Sequence, residues 1–377
     1  MNARRAIVVA TAVLLLAPVA RSGHELPVYP SYYPHEIELT AMAPERAAEL
    51  MRAGKLHAYV GAMPTLAGAK PDAIGTVESL GSWVVARLNP AAAPAAGEGF
   101  GCGVAAMIVR GLARGGEVTL HPYPVTPLHG DYLAHADRAE VARGRLLATP
   151  PMLGSLRVRA ASAEARRFVR PDWLADGERW EASVEVVDVA RLVGEATLTV
   201  NGWMGPRWAR SGWFHAYRLL ADALVDPAQK EQAAALVARL QGGDYAGAVE
   251  RINLERELVG LLTGSCRAVV AGYTSKREHF NAEFSAGIEN IGYDALEGLR
   301  SPMFLRTVKL KDFPWNGWLQ LGLDARPTAA WNPIGGLNDE FGRMMWFAVG
   351  DPAAIPSPYE AGWVLNRISD VEAAPRP

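Results

Sequence analysis

The chain has 377 residues, of which 50% are hydrophobic and 21% are charged, an ordinary composition for a folded protein with a sizeable core. Its formal net charge of −2 offers no broad attraction to nucleic acid or to an anionic membrane surface, so neither is expected as a partner. The length allows two domains.

The first 22 residues have the pattern of an export signal. Arg4 and Arg5 form a short basic segment, and the apolar run Ala6–Ala20 is shorter than the ~20 residues that span a bilayer. A small residue at position 20 and Ser22 predict cleavage after Ser22. An uncleaved membrane anchor is the alternative. After cleavage we expect no integral membrane segment and a periplasmic or secreted protein.

The sequence contains two cysteines, Cys102 and Cys266. In an oxidising compartment they are most simply paired, which predicts one disulfide that closes a long loop. The absence of a C-x-x-C-H motif excludes covalently attached haem. The glycine-rich string at 99–104 lacks both the Rossmann spacing and the P-loop lysine, so no nucleotide cofactor is expected.

The first half of the mature chain has mixed helical and strand signals. It begins with a proline- and tyrosine-rich arm, 23–34, which should be extended because proline fixes the backbone and removes a donor. The further expected elements are a helix over Pro44–Ala53, strands over Leu56–Val60 and Ser79–Leu88, an exposed loop over 90–99, an apolar strand over Val104–Val109, a strand over Glu117–Leu120 and a helical segment over His129–Ala142.

The second half opens with alternating apolar and polar residues from Trp180 to Trp203, which predict a β-hairpin. Two helices should follow as a helical hairpin, the first beginning at Asp226 and the second capped by Asp244. Beyond Gly272 we expect short strands joined by Trp-rich loops. The predicted fold class is therefore α+β in two lobes, a mixed lobe over 23–205 and a second lobe over 206–377.

Three of the eight histidines, His121, His129 and His135, lie within the segment His121–Glu140. Imidazole binds both copper and zinc, so this density of ligands predicts a metal site. His129 and His135 are six residues apart, so one helix face cannot present both and a loop must bring them together. The alternative is a set of partly exposed histidines on a proline-stiffened loop.

The N-terminus offers a second metal hypothesis. Cleavage after Gly23 would leave His24 as the first residue, and its amine and ring could bind copper together, with His35 or one of the histidines at 121–135 as a second imidazole. Arg21 disfavours that cleavage position, so His24 and His35 are secondary candidates.

Tryptophan and amide residues near the C-terminus form an alternative ligand site. Aromatic faces combined with hydrogen-bonding side chains bind sugars and other small polar ligands in concave sites. A core role for these rings is the competing interpretation. The set consists of Trp315, Asn316, Trp318, Trp331, Asn332, Asn338, Asp339, Glu340 and Arg343.

Three functional hypotheses remain open from the sequence. The first is a metal-binding or redox-serving exported protein that uses the histidines. The second is binding or hydrolysis of a carbohydrate or small polar ligand at the Trp/Asn set. The third is a non-enzymatic interaction subunit with a periplasmic protein partner, docking through the arm. No G-x-S-x-G motif indicates a serine nucleophile, and whether the protein is an enzyme stays open.

Overall fold

The computed structural model describes residues 34–92, 98–112, 117–150, 156–197, 206–312, 317–327, 339–349, 353–366 and 368–369. The predicted export signal, the arm up to residue 33 and His24 lie outside this part of the chain. Within it, no helix combines the length and the apolarity that crossing a membrane requires.

The strands occur throughout the described chain. They are β1 Glu36–Ala41, β2 Ala58–Val60, β3 Ile74–Leu88, β4 Thr119–Leu120, β5 Val158–Ala160, β6 Ala182–Asp188, β7 Ala268–Asn281, β8 Ile288–Glu289, β9 Lys309–Leu310, β10 Trp318–Leu323, β11 Ala354–Pro356 and β12 Trp363–Leu365.

The helices alternate with these strands in the first half and are concentrated between β6 and β7. They are α1 Pro44–Arg52, α2 Glu98–Leu112, α3 Ala136–Ala148, α4 Ala163–Phe168, α5 Val189–Thr197, α6 Gly212–Leu220, α7 Pro227–Gly242, α8 Ala248–Leu262, α9 Pro302–Thr307 and α10 Glu340–Val349.

A mixed sheet in the order β1-β10-β2-β7-β3-β6-β5, with β4 also paired to β7, organises the fold. Strand β7 pairs antiparallel with β3 and with β2, while β1, β10 and β2 are parallel to one another. The predicted α+β class is confirmed. The predicted boundary at residue 205 does not separate the strands, because β7 and β10 from the second segment pair with β1, β2 and β3 from the first.

The two faces of the sheet bury different helices, since successive side chains of a strand point to opposite faces. Trp83 and Val85 of β3 belong to a core that includes α6, α7 and α8. Val84 and Ala86 belong to a core on the other face, with α2 and α4. The loop that follows β4 contributes to the first of these cores, and this places the predicted histidine segment beside the helical hairpin.

The helical hairpin is confirmed as α7 and α8. Asp226 caps α7, its carboxylate accepting the backbone N–H of Ala228 at 3.0 Å, and Gly243 ends the helix at a positive φ of 68°. The predicted cap of the second helix is wrong: Gly247 occupies that position, while Asp244 lies 3.6 Å from the guanidinium of Arg239.

Two predicted strands are helices instead. The apolar run Val104–Val109 lies inside α2, because a short apolar run fits a buried helix as well as a buried strand. In the predicted hairpin, the first alternating run lies in β6, but the connection and the first residues of the second run lie in α5, where Val189 and Leu192 are buried at helical spacing. Residues 198–203 of the predicted hairpin lie outside the described chain. Strand β7 is also longer than the short strands expected beyond Gly272.

The predicted disulfide joins Cys102 of α2 to Cys266, which lies just before β7. Their Cα atoms are 5.0 Å apart, and 164 positions separate them in sequence. This distance is within the range that a disulfide spans. The bond therefore links the helix on one face of the sheet to the start of the central strand.

Candidate functional site

Residues 121–135 form a loop against the sheet, ending in the 3₁₀ turn Tyr132–Ala134 that precedes α3. Tyr123 and Val125 are buried in the adjoining core. The loop is therefore held from inside by its own apolar residues. The alternative of partly exposed histidines does not hold for His129 and His135, which are only 4% and 0% exposed, whereas His121 is partly exposed.

His129 and His215 form a hydrogen-bonded pair inside this core. The backbone N–H of Thr126 donates to His129 Nδ1 at 3.1 Å, so the ring proton of neutral His129 is on Nε2. That Nε2–H donates to Nδ1 of His215 at 3.0 Å, and His215 Nε2–H donates in turn to the carbonyl of Ala209 at 3.2 Å. Every ring nitrogen of the pair is thereby engaged.

Burial keeps both rings neutral. It lowers the pKa of His129 to about 3 and the pKa of His215 well below its ordinary value. The indole ring of Trp83 stacks on His129 with 5.8 Å between ring centroids, which completes the apolar surroundings. The pair has the geometry of a structural element that ties the loop to α6.

His121 lies apart from this pair. Its Nε2 donates to the carbonyl of Val125 at 2.8 Å, and burial lowers its pKa. His35 is exposed beside the edge strand β1, where its backbone N–H donates to the carbonyl of Gly317 at 2.8 Å. Neither residue belongs to the described group of side chains whose ligand atoms converge.

The converging group consists of Asp131, His135 and Glu255. One ligand atom from each can be chosen so that all three lie within 4.8 Å of one another. Asp131 immediately precedes the 3₁₀ turn of the loop, His135 immediately precedes α3, and Glu255 lies in the middle of α8. Of the histidines predicted as ligands, the structure brings His135 to this group, together with two carboxylates.

Two atoms of the group are buried without a hydrogen-bond partner in the described structure, Nε2 of His135 and Oε2 of Glu255. Their other polar atoms are engaged: His135 Nδ1 lies 3.0 Å from the Tyr123 hydroxyl, and Glu255 Oε1 accepts from Arg251 at 2.7 Å. Asp131 accepts the backbone N–H of Gly212, at the start of α6, at 3.1 Å. Buried polar atoms without partners are rare, and each calls for an explanation.

The same burial shifts the pKa values of the three groups. It raises the pKa of Glu255 to about 7, with a further contribution from nearby Asp131. It raises the pKa of Asp131 and lowers the pKa of His135 to about 4, although Asp131 opposes the shift of His135. At neutral pH the group therefore carries less charge than its composition suggests.

Hydrogen bonds from two arginines, Arg256 and Arg138, hold α8 against the loop and the start of α3. Arg256 donates to both carboxylate oxygens of Asp137 at 2.7 Å each and also to the carbonyl of Ala134. Arg138 returns a hydrogen bond to the carbonyl of Arg256. It crosses α8 at Gly260, where a Cβ would lie 2.8 Å from its guanidinium. These contacts set the distance between Glu255 and the loop.

A cavity of about 470 Å³ adjoins the group, within the range of small-molecule sites. Asp131, Glu255 and Arg251 line one part of it. Further parts of the wall come from the 3₁₀ turn at 207–210, the connection between α7 and α8, residues 294–296 and the turn 357–362 between β11 and β12.

The predicted Trp/Asn set is only partly within the described structure. Trp315, Asn316, Trp331, Asn332 and Asn338 lie outside it. Trp318 begins β10 and is 65% exposed. Asp339 precedes α10 and accepts the backbone N–H of Gly342 at 3.0 Å, while burial lowers the pKa of Arg343. The tryptophans that line the cavity are others, namely Trp208, Trp213 and Trp363.

Sequence reasoning missed Glu255, although two signals were present. Asp131 and His135 have i, i+4 spacing, which brings side chains together on helical backbone. Glu255 occupies the apolar stripe of α8, three, four and seven residues before the buried Leu258, Val259 and Leu262. A carboxylate in such a stripe is rarely buried unless it is paired.

Comparisons with known proteins leave the family open. No family model and no curated protein matches the chain. Partial structural matches include HbpA2 from Haemophilus parasuis, with 12% identity and a TM-score of 0.42 over 72% of this chain and 56% of that one. The periplasmic EDTA-binding protein EppA has 11% identity and a TM-score of 0.38 over 71% and 57%.

A third match is MppA, a periplasmic murein tripeptide-binding protein in its unliganded open form. It has 12% identity and a TM-score of 0.39 over 71% of this chain and 55% of that chain. The chain thus spans a little over half the length of these structures. The matches assign neither a family nor a ligand to it.

Proposed function

We propose that this chain is an exported metal-binding protein whose ligands are Asp131, His135 and Glu255. The observation that carries the proposal is the pair of buried, unpartnered ligand atoms, His135 Nε2 and Glu255 Oε2, in a group that converges within 4.8 Å. A bound cation would satisfy both atoms and would offset the cost of burying two carboxylates.

The donor set favours zinc, with copper(II) as the alternative. Two carboxylate oxygens and one imidazole nitrogen lack the sulfur ligands that select copper(I). Three protein ligands with one further position open are typical of zinc sites that bind a water or a small molecule. Asp131 and Glu255 line the cavity, so that further position would be accessible from it.

Tyr123 contacts the second ring nitrogen of His135, Nδ1. Its hydroxyl lies 3.0 Å from His135 Nδ1, and burial raises its pKa, so the phenol stays protonated at neutral pH. When His135 Nε2 binds a cation, its Nδ1 carries the proton and donates to the Tyr123 oxygen. A hydrogen bond of this kind orients metal-ligating histidines in proteins. His129, which the sequence also suggested as a ligand, is not part of the proposed site, because both of its ring nitrogens are hydrogen-bonded.

Export is part of the same proposal. The basic and apolar N-terminal segment is typical of a signal peptide, and the Cys102–Cys266 disulfide is stable in oxidising compartments. Both features support a periplasmic or secreted location.

Titration of metal-free protein with Zn²⁺ and Cu²⁺ by isothermal calorimetry tests the site. We expect one Zn²⁺ per chain. We expect Glu255→Gln and Asp131→Asn to weaken binding about 100-fold, because each removes a charged ligand. Glu257→Gln is the matched control: it changes a carboxylate on the same helix that accepts from Gln232 at 2.8 Å. His121→Gln should also leave the affinity unchanged.

Two outcomes would contradict the proposal. One is wild-type protein that binds neither metal more tightly than Glu255→Gln does. The other is loss of binding in His121→Gln with retention in Glu255→Gln, which would return the site to the histidines predicted from sequence. Circular dichroism of each variant establishes that it is folded.

A further inference from the structure

Arg207 also lines the cavity, and it contacts the turn 357–362. Its Nε donates to the carbonyl of Gly362 at 2.9 Å, and its Nη2 donates to the carbonyl of Ser357 at 3.1 Å. A longer contact of 3.5 Å joins Nη2 to the carbonyl of Glu360. These acceptors are all main-chain oxygens of the turn 357–362, and no carboxylate among the described residues forms an ion pair with Arg207.

The other arginines of the cavity wall differ in this respect. Arg210 is buried and pairs with Asp294 and with Glu297, whose Oε1 is 2.8 Å away. Arg251 pairs with Glu255 at 2.7 Å. Asp294 and Glu297 thus form their ion pairs with Arg210. Their negative charges also raise the pKa of Arg207, but without an ion pair. Arg207 is therefore the arginine of this wall that forms no ion pair with a carboxylate in the described part of the chain.

Arg207 stays cationic at neutral pH. Burial, and then the proximity of Arg210, lower its pKa to about 10. A half-buried guanidinium without a carboxylate partner is incompletely solvated and can gain charge-assisted hydrogen bonds from an anion. Its Nη1 has no hydrogen bond in the described structure and is available for that contact.

Aromatic rings form the walls beside this charge. The ring of Trp363 lies 5.3 Å from the Arg207 guanidinium carbon. Trp208 and Trp213, with ring centroids 6.1 Å apart, and Tyr245 contribute further apolar surface. The part of the cavity that combines these rings with the Arg207 charge suits a ligand with a planar body and one group of opposite charge.

We propose that this cavity binds a small organic anion, with its anionic group on Arg207 and a planar apolar body against Trp363, Trp208 and Tyr245. This goes beyond metal binding and does not depend on it. The residues that carry it differ from the proposed metal ligands.

Three naphthalene probes with the same ring test the charge preference: naphthalene-2-carboxylate, naphthalene-2-carboxamide and naphthalen-2-ylmethylammonium. Calorimetry at pH 7 should show the carboxylate binding about tenfold more tightly than the amide, which corresponds to one charge-assisted hydrogen bond of ~1.4 kcal/mol. The ammonium should bind most weakly. The preference for the carboxylate should decrease as salt is added, because ions screen the guanidinium.

Variants separate the charge of Arg207 from its role in holding the turn 357–362. Arg207→Gln should remove the preference for the carboxylate. Arg207→Lys should retain part of it, because it keeps the charge but not the forked donors. Arg159→Gln is the matched control: Arg159 also stacks on a tryptophan, 4.2 Å from the Trp180 ring centroid, but it does not line the cavity.

Equal affinity for the carboxylate and the amide in wild-type protein would overturn the inference. So would tightest binding of the ammonium that disappears in Asp131→Asn, since the acidic side of the cavity would then select the ligand. Equal loss in Arg207→Gln and Arg207→Lys would assign Arg207 to holding the turn alone. Each titration is done with EDTA-dialysed and with zinc-loaded protein. A protein that binds no zinc but still prefers the carboxylate refutes only the metal site.

Discussion

His129 donates its Nε2 proton to Nδ1 of His215 across 3.0 Å, and both imidazoles are buried and neutral. The pair connects the loop after β4 to α6, and the indole of Trp83 in β3 stacks on His129. Protonation of either ring would place a charge in the core and break the chain of hydrogen bonds that runs from Thr126 to Ala209. The free energy of unfolding should therefore depend on pH through this pair.

The linkage predicts loss of stability in acid for metal-free Glu255→Gln protein. The folded pKa of His129 is about 3, below the unfolded value of 6.5, so the unfolded chain binds more protons below pH 6.5. His129 alone should then cost about 2 kcal/mol of unfolding free energy between pH 7 and 5, and His215 acts in the same direction. Urea denaturation at both pH values measures this.

Wild-type protein should lose less stability over the same pH range. The folded pKa of Glu255 is about 7, above its ordinary 4.5, so the folded state binds more protons between these values and acid stabilises it there. Glu255→Gln removes that compensation. Superimposable pH profiles of the two proteins would refute the burial argument for Glu255.

Zinc affinity should rise with pH through neutrality. A carboxyl group must lose its proton to bind a metal, and the pKa of Glu255 is about 7. Between pH 6 and pH 8 the ionised fraction of such a group increases about tenfold, so the dissociation constant should fall by about the same factor. Calorimetry in two buffers of different ionisation enthalpy also gives the number of protons released. A flat affinity without proton release would show that Glu255 is not a ligand.

The disulfide should contribute strongly to stability because it closes a long loop. Cys102 and Cys266 are separated by 164 positions, and the chain-entropy argument gives a stabilisation of about 4 kcal/mol for loops of this order. The double variant Cys102→Ala/Cys266→Ala should therefore unfold at a lower urea concentration. Mass spectrometry after alkylation under denaturing conditions should find no free thiol in the wild-type protein. An unchanged urea midpoint would mean that the bond adds little.

Gly130 allows the turn 357–362 to approach the loop closely at the wall of the cavity. A Cβ at this position would lie 2.5 Å from the carbonyl oxygen of Tyr359 and 2.7 Å from Cα of Glu360. Gly130→Ala should displace the turn and weaken binding of naphthalene-2-carboxylate several-fold, with faster proteolysis at 353–366. Gly144→Ala is the control, since a Cβ there meets nothing within 4 Å on the exposed side of α3. Equal proteolysis of both variants would contradict the prediction.

Where local chemistry decides the structure, the sequence was a sufficient guide. Asp226, a proline at the first helical position and Gly243 define α7 because a capping carboxylate and a residue that tolerates positive φ act within a few residues of the chain. The apolar segment Ser79–Leu88 likewise predicted most of β3 from its own residues. The pairing of Cys102 with Cys266 followed from the presence of two cysteines and from the expected oxidising compartment.

Local pattern failed where the same residues suit two kinds of element. Val104–Val109 suits a buried strand or a buried helix, and the alternating run predicted from residue 195 onward begins inside the helix Val189–Thr197. Packing against the sheet selected the helix in each case. Propensity is a small energy difference that tertiary contacts readily exceed.

The sequence by itself determined that the segment from His121 to His135 is rich in potential ligands. Only the tertiary structure decided which of them have a free lone pair. Both ring nitrogens of His129 are hydrogen-bonded, to Thr126 and to His215. His135 Nε2 has no partner in the described structure, and its ring lies close to Asp131 and Glu255. Glu255 comes from a helix far along the chain, and its distance from the loop is fixed by Arg256 and Asp137. No spacing within the sequence encodes such a distance, because it is set by the packing of α8 against the sheet.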